Sequence, residues 1–338
     1  MTRFFLSLIV ALMPFAAAAQ DATAKITDVV THHILPRFDA LSENAGRLAE
    51  VAGNDCAATS RELRDAYGVA FDSWVSASHL RFGPTEVGDR AFALAFWPDS
   101  RGATPRALAG LMAERDAIID SAEGFAQVSI AARGFYGLEY LLYDPELTGA
   151  ADPAYLCGLI RAVTANIAAT AGTIRAEWHE SYAPGMLNPG PNGTYRSEDE
   201  VLQQLFTALT TGLEFTAETR LGRPLGTFDR PRPRRAEAWR SDRSARHVAL
   251  SLTALRDLAE RLAAGHPQVA AGLDHAFAKA VDHLATLDDP VFAGVAQPQR
   301  RLKVEVLQQD VEAIRALARS ALGPTLGVAA GFNSLDGD

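Results

Sequence analysis

Basic charge is in deficit: 32 Lys and Arg stand against 41 Asp and Glu in 338 residues. That balance excludes nucleic acid as a general partner, because phosphate neutralisation needs an excess of clustered Lys and Arg. Cysteine is almost absent, and Cys56 and Cys157 match no metal-binding spacing. A nucleophile elbow, a phosphate-binding loop, a dinucleotide fingerprint and the helical His-Glu-x-x-His pair are all missing. No stretch alternates apolar and polar residues for long enough to make a sheet, which leaves the all-α class.

The N-terminal apolar run, residues 4–15, is too short for an anchor, which needs roughly 18 apolar residues. Arg3 precedes it, and Pro14 and the alanines 16–19 close it ahead of Gln20 and Asp21. Charge, apolar stretch and small-residue site in that order make a secretory signal peptide over residues 1–19. No cysteine follows for lipid attachment, so the mature chain is expected to be soluble in the periplasm and not an integral membrane protein. In an oxidising compartment Cys56 and Cys157 are expected to pair, closing a loop whose restriction stabilises by about 4 to 5 kcal/mol in the chain-entropy model.

Apolar residues recur at helical spacing through the rest of the chain. Leu63, Tyr67, Phe71, Trp74 and Ser78 trace one face of a helix predicted to end at Gly83-Pro84. Val128, Ala132, Phe135, Leu138 and Leu142 trace another, stopped by Asp144-Pro145, and Leu156 to Trp178 continue the pattern. Residues 182–197 read as a Pro- and Gly-rich loop. Beyond it, Ser197 and Glu200 form a capping-box pattern ahead of Val201, Leu205, Leu209 and Leu213. Further helices are expected near 244–264, 267–286 and 299–322. The expected architecture is two packed four-helix bundles, residues 20–181 and 182–338 with a C-terminal tail, consistent with an ancient duplication.

Candidate chemistry concentrates in residues 133–143. Tyr136, Glu139, Tyr140 and Tyr143 are spaced by three, four and seven, placing three phenols and a carboxylate on one helix face. The run Gly134-Phe135-Tyr136-Gly137-Leu138-Glu139 resembles the imelysin-like motif of a glycine, a histidine two positions on and a glutamate three further. Four more segments resemble the family in the same order. They are Trp74 with His79 to Pro84, then Phe96-Trp97-Pro98-Asp99, then Leu221 to Gly226 with Trp239 to Ser244, and last Gly331 to Asp338.

The resemblance implies a pair of four-helix bundles, export, a pocket between the halves and an association with bacterial iron uptake. It also implies a metallopeptidase reading in which the motif glutamate and histidine bind metal. Glu139 matches that glutamate, whereas Tyr136 stands where the histidine belongs. A zinc peptidase assembles about three protein ligands, usually including histidines, and the histidines here are scattered. His275 and His283, eight apart, read as a solvated face. Tyr136 and Glu139 are hard oxygen donors, so iron is the expected metal ahead of zinc.

Arg81, Arg240, Ser241 and Ser244 add forked donors and hydroxyls suited to a small acidic molecule or a chelated metal. The Arg230 to Arg235 cluster, broken by Pro231 and Pro233, reads as a solvated loop or a local anion site. Asn333, Asp336 and Asp338 read as an acidic tail. Three functions follow as expectations. The first is a non-enzymatic periplasmic binding protein for iron or a small iron-linked ligand, working with other iron-uptake components. The second is a metallopeptidase using Glu139, and the third a structural or partner-docking module.

Overall fold

The computed structural model describes residues 13–149 and 151–328, with side chains from residue 21 onward. The expected signal segment lies largely outside these residues, and the 331–338 tail wholly so. Among the described residues there is no strand, and Thr227 and Arg230 form an isolated bridge.

The long helices are α1 (Met13–Val29), α2 (Leu35–Asn54), α3 (Arg61–Ala77), α4 (Ala103–Glu114) and α5 (Gly134–Tyr143). They continue as α6 (Pro153–Glu177), α7 (Glu198–Glu214), α8 (Ser244–Leu262), α9 (Pro267–Ala285) and α10 (Pro298–Leu317). Local chemistry sets their starts. Ser60 Oγ accepts the Leu63 N–H at 3.3 Å to begin α3. Asp152 accepts the N–H groups of Ala154 and Tyr155 to begin α6, with Pro153 at the first helical position where no donor is needed. Ser197 Oγ accepts from Glu200 N as expected, but the Glu200 carboxylate returns to Arg196 N at 2.7 Å instead of to the cap residue itself.

Three boundaries depart from the periodicity. Helix α3 stops at Ala77, where the N–H groups of Ser78 and Leu80 donate to the carbonyls three residues back and turn the chain out. The helix expected across 128–142 is interrupted at Arg133, which is extended, and α5 begins only at Gly134. In the opposite sense, helical structure outlasts α6 into the Pro- and Gly-rich stretch, through a π turn (Trp178–Tyr182) and a short helix (Ala183–Leu187). The π turn carries the Ala183 N–H back to Trp178 O, and Pro184 then sits in a first turn that asks nothing of its nitrogen.

Packing gathers the helices into two groups. In one, α2 lies against α3 and α6, and α5 against α3 and α6; in the other, α7 meets α8 and α10, and α9 meets α8 and α10. Helices α3 and α8 join the groups, and α1 lies against α7 and α8, on the second group rather than the first. The segment Pro153–Leu187 is long and apolar enough to span a bilayer, yet Leu159, Ile160, Val163, Ile167 and Ile174 are buried in the core and α6 packs on α2. A Cys56–Cys157 disulfide, with Cα atoms 5.1 Å apart, ties the end of α2 to the first turns of α6.

Candidate functional site

Helix α5 is positioned by its first residue. Gly134 has φ of 70°, and a Cβ there would stand 2.2 Å from Leu94 O and 2.4 Å from Ala93 O. Only glycine allows this approach, and it seats α5 on the turn that leads into residues 96–104. Phe135 then stacks on Phe71 at 4.8 Å, while Tyr136 meets the edge of Phe71 at 5.1 Å and lies over Trp97 at 6.1 Å.

The opposing wall is the irregular segment 223–244 from the second group. Ala238 and Asp242 are both left-handed, with φ of 47° and 57°, a backbone state that non-glycine residues adopt at a cost of roughly 1 kcal/mol or more. The resulting turn aims the Ser241 N–H and Oγ–H at one oxygen of Glu139, at 3.0 and 2.8 Å. Arg240 Nε donates to Asp144 Oδ2 at 2.9 Å, its guanidinium 3.8 Å from the Tyr140 ring centre. Arg243 binds Asp72 and donates to Gly68 O at 2.8 Å, and Arg246 binds Asp72 as well, so the segment is also fastened to α3.

Beneath this turn lies a buried polar cluster. The Tyr136 hydroxyl donates to Glu237 Oε1, Arg220 Nε donates to Glu237 Oε2 at 2.7 Å, and His247 Nδ1 lies 3.2 Å from the same oxygen. Burial pushes the Glu237 carboxyl upward, but Arg220 and His247 outweigh it and hold the group well below the usual carboxylate range. Burial, then the Glu237 charge, drives the Tyr136 phenol well above its ordinary value. Glu139 is raised as well, chiefly by burial and against the Ser241 hydrogen bonds.

A cavity of about 110 Å³ sits between the two walls. Trp97, Asp99, Tyr136, Glu139 and Tyr140 line one side, and Arg223, Arg234, Arg235, Trp239 and Arg240 the other. Of the residues expected in the site, Tyr136, Glu139 and Arg240 reach it. Ser241 stands behind Glu139. Ser244 is turned inward, its hydroxyl donating to Glu237 O at 2.6 Å. Arg81 is elsewhere, half-exposed and paired with Glu86 at 2.5 Å beneath Phe92. Tyr143 faces Tyr67 and Arg64 instead of the cavity. His283 pairs with Asp310 and His275 is exposed, so the two share no ligand position.

Glu237, Arg220 and His247 escaped the sequence reading. Their one signal was Glu237 itself, a lone acid between alanines in an arginine-rich stretch. The donor set does not fit a bare metal ion. Tyr136 and Glu139 both border the cavity, but the phenol is engaged by Glu237 and the carboxylate by Ser241. Among the described residues no three His, Cys, Asp or Glu side chains converge as an ion-binding group.

Two groups of helices, with a cavity at their junction walled by a short glycine-started helix and an arginine-bearing turn, define an all-α protein. The chain belongs to the imelysin family, described as Imelysin, peptidase M75, which it matches over residues 34–318. It is 23% identical over 316 residues to iron-regulated protein A of Synechococcus elongatus, covering 86% of this chain and 82% of that one. An imelysin-like protein from Psychrobacter arcticum 273-4 superposes with a TM-score of 0.78 at 22% identity, over 93% of this chain and 98% of the other. A protein from Parabacteroides distasonis, described as an iron-regulated protein A precursor, gives 0.74 at 13% identity over 91% and 95%. At these identities the two structures establish the shared fold.

Proposed function

We propose that this chain is an exported, non-enzymatic binding protein that captures a small iron-linked ligand in the cleft between its two helical groups. The observation that carries the reading is the cleft itself, with aromatic faces and guanidiniums around a carboxylate already satisfied by Ser241. Small-molecule sites combine apolar walls with a few fixed polar groups in this way. The relatives described as iron-regulated point to iron as the context, and the donor set favours iron carried inside a ligand over a bare ion. Export rests on the N-terminal sequence and on the precursor named among the relatives.

Calorimetric titration of metal-stripped protein with ferric citrate, ferrous iron and zinc tests this. Heat and thermal stabilisation are expected with the ferric chelate. Absence of both with all three sinks the proposal. The rival, a metallopeptidase with Glu139 as base, draws on the burial that raises its carboxyl. Chelator-sensitive cleavage of an unfolded polypeptide that vanishes in Glu139→Ala is the result that favours it.

A further inference from the structure

We propose that the cleft recognises an organic polyanion carrying at least two carboxylates, and that Arg223 and Arg235 are its primary contacts. The inference rests on the capture reading above and names the chemical class of the ligand.

Charge accounting around the cavity carries it. Four guanidiniums border the cleft, from Arg223, Arg234, Arg235 and Arg240. Arg240 is neutralised by Asp144, but Arg223, Arg234 and Arg235 have no carboxylate partner among the described residues. The two lining carboxylates are directed to other donors. Asp99 caps α4, accepting the N–H groups of Arg101, Ala103 and Thr104, and Glu139 accepts from Ser241.

Arg223 is the most telling of the three. Its Nε is fully buried with no hydrogen-bond partner, although its guanidinium lies over the Trp97 ring at 5.8 Å. Burial and the nearby Arg235 charge both work against its protonated form. A buried donor left unpaired beside a like charge is destabilising, and an anion in the cleft relieves both defects together. Three guanidiniums without an ion-pair partner around one cavity offer several forks at once, which a ligand carrying more than one carboxylate engages together.

The walls favour carbon over a bare inorganic ion. Trp97, Tyr140 and Trp239 line the same space, with Arg240 over Tyr140 and Trp239 and Arg234 over Trp239 at 5.7 Å. A ligand with a hydrocarbon frame buries apolar surface against this aromatic lining, which inorganic phosphate does not. Planar carboxylates also match the guanidinium fork. Iron enters such a site as the centre of the chelate, held by the ligand's oxygens rather than by the protein.

The test is calorimetric titration of the full chain with citrate, ferric citrate, inorganic phosphate and ferrous iron, in wild type and in Arg223→Gln, Arg235→Gln and Arg81→Gln. Binding is expected for citrate and ferric citrate, weakening as salt rises, with phosphate much weaker. Arg223→Gln and Arg235→Gln should each lose about tenfold or more in affinity, as charge-assisted hydrogen bonds do, and Arg81→Gln should match wild type. Arg235 is exposed, so its replacement leaves folding intact. Tight ferric citrate binding that is unchanged in both arginine variants overturns the inference and leaves the capture reading standing. Binding of ferrous iron alone at equal strength does the same. No binding of any iron form removes the capture reading itself.

Discussion

His33 and His79 face each other inside the protein, Nε2 to Nε2 at 2.8 Å, and both side chains are buried. His33 lies in the π turn (Val30–Ile34) between α1 and α2, His79 just past α3, and His33 Nδ1 binds Asp257 Oδ2 of α8 at 2.7 Å. The chain of contacts therefore crosses from one helical group to the other. Two imidazoles at this distance share a single proton, so at most one of the facing nitrogens carries hydrogen.

That geometry sets a pH dependence. Burial, followed by the charges of Arg37 and Arg261 and against Asp257, lowers His33 to about 4, and His79 is also lowered well below the ordinary value, again chiefly by burial. Both lie below the ordinary histidine value, so the unfolded chain binds more protons from about pH 6.5 down to the His33 value. Stability is then fully present above about pH 6.5 and is lost as pH falls towards 4, by roughly 3 kcal/mol for His33. His247, also lowered by burial, acts in the same direction. Thermal melts from pH 7 to pH 4 should show this loss, and a His33→Gln, His79→Gln double variant should show a shallower one. An unchanged slope in the double variant excludes the pair as its source.

Glu139 and Ser241 offer a second test, because one carboxylate oxygen takes both donors. Glu139→Ala leaves the Ser241 N–H without its acceptor, the hydroxyl still having Ala238 O at 3.2 Å, and urea unfolding should report a loss of about 1 to 3 kcal/mol. Glu139→Gln keeps a carbonyl oxygen in place and should lose less than half as much. Equal losses in the two variants mean that the charge, and not the hydrogen bonds, fixes the turn.

The Glu237 cluster separates two costs. Glu237→Gln removes the charge that balances buried Arg220, and breaking a buried pair in this way costs about 3 to 5 kcal/mol. Tyr136→Phe removes only a donor, and about 1 to 2 kcal/mol should follow. The order of the two, read from denaturation midpoints, is the prediction; a reversed order contradicts the network described.

Much of this was legible because helical spacing is a strong signal where it runs long. Helices α6, α8, α9 and α10 lie within a few residues of their expected spans, and Cys56 meets Cys157. Gly134 was read as a motif residue, but its role depends on Leu94 O, forty residues away, which no local pattern reveals. His33 and His79 fall in no common motif and meet only because α2 and α3 pack side by side. Which arginines already hold a counter-charge was hidden for a related reason. Arg240 and Arg81 looked available in sequence, but Asp144 and Glu86 occupy them, whereas Arg223 looked ordinary and is left without an anion.

Gly134 and Gly46 make a paired prediction with opposite signs. At Gly134 a Cβ meets two carbonyl oxygens on a backbone of positive φ, and neither the α5 start nor the 93–94 turn can yield without moving Tyr136 and Glu139. Gly134→Ala should therefore lose more than about 4 kcal/mol, the range of severe overpacking combined with strain. Gly46 lies within α2 with nothing inside 4 Å of its ideal Cβ. Gly46→Ala restricts the unfolded chain and adds a helix-favouring residue, so it should gain about 0.5 to 1 kcal/mol. Thermal melts of both variants at neutral pH decide the matter. If Gly134→Ala melts within a degree or two of wild type, the close seating of α5 on residues 93–94 is wrong, and with it the geometry that presents Tyr136 and Glu139 to the cleft.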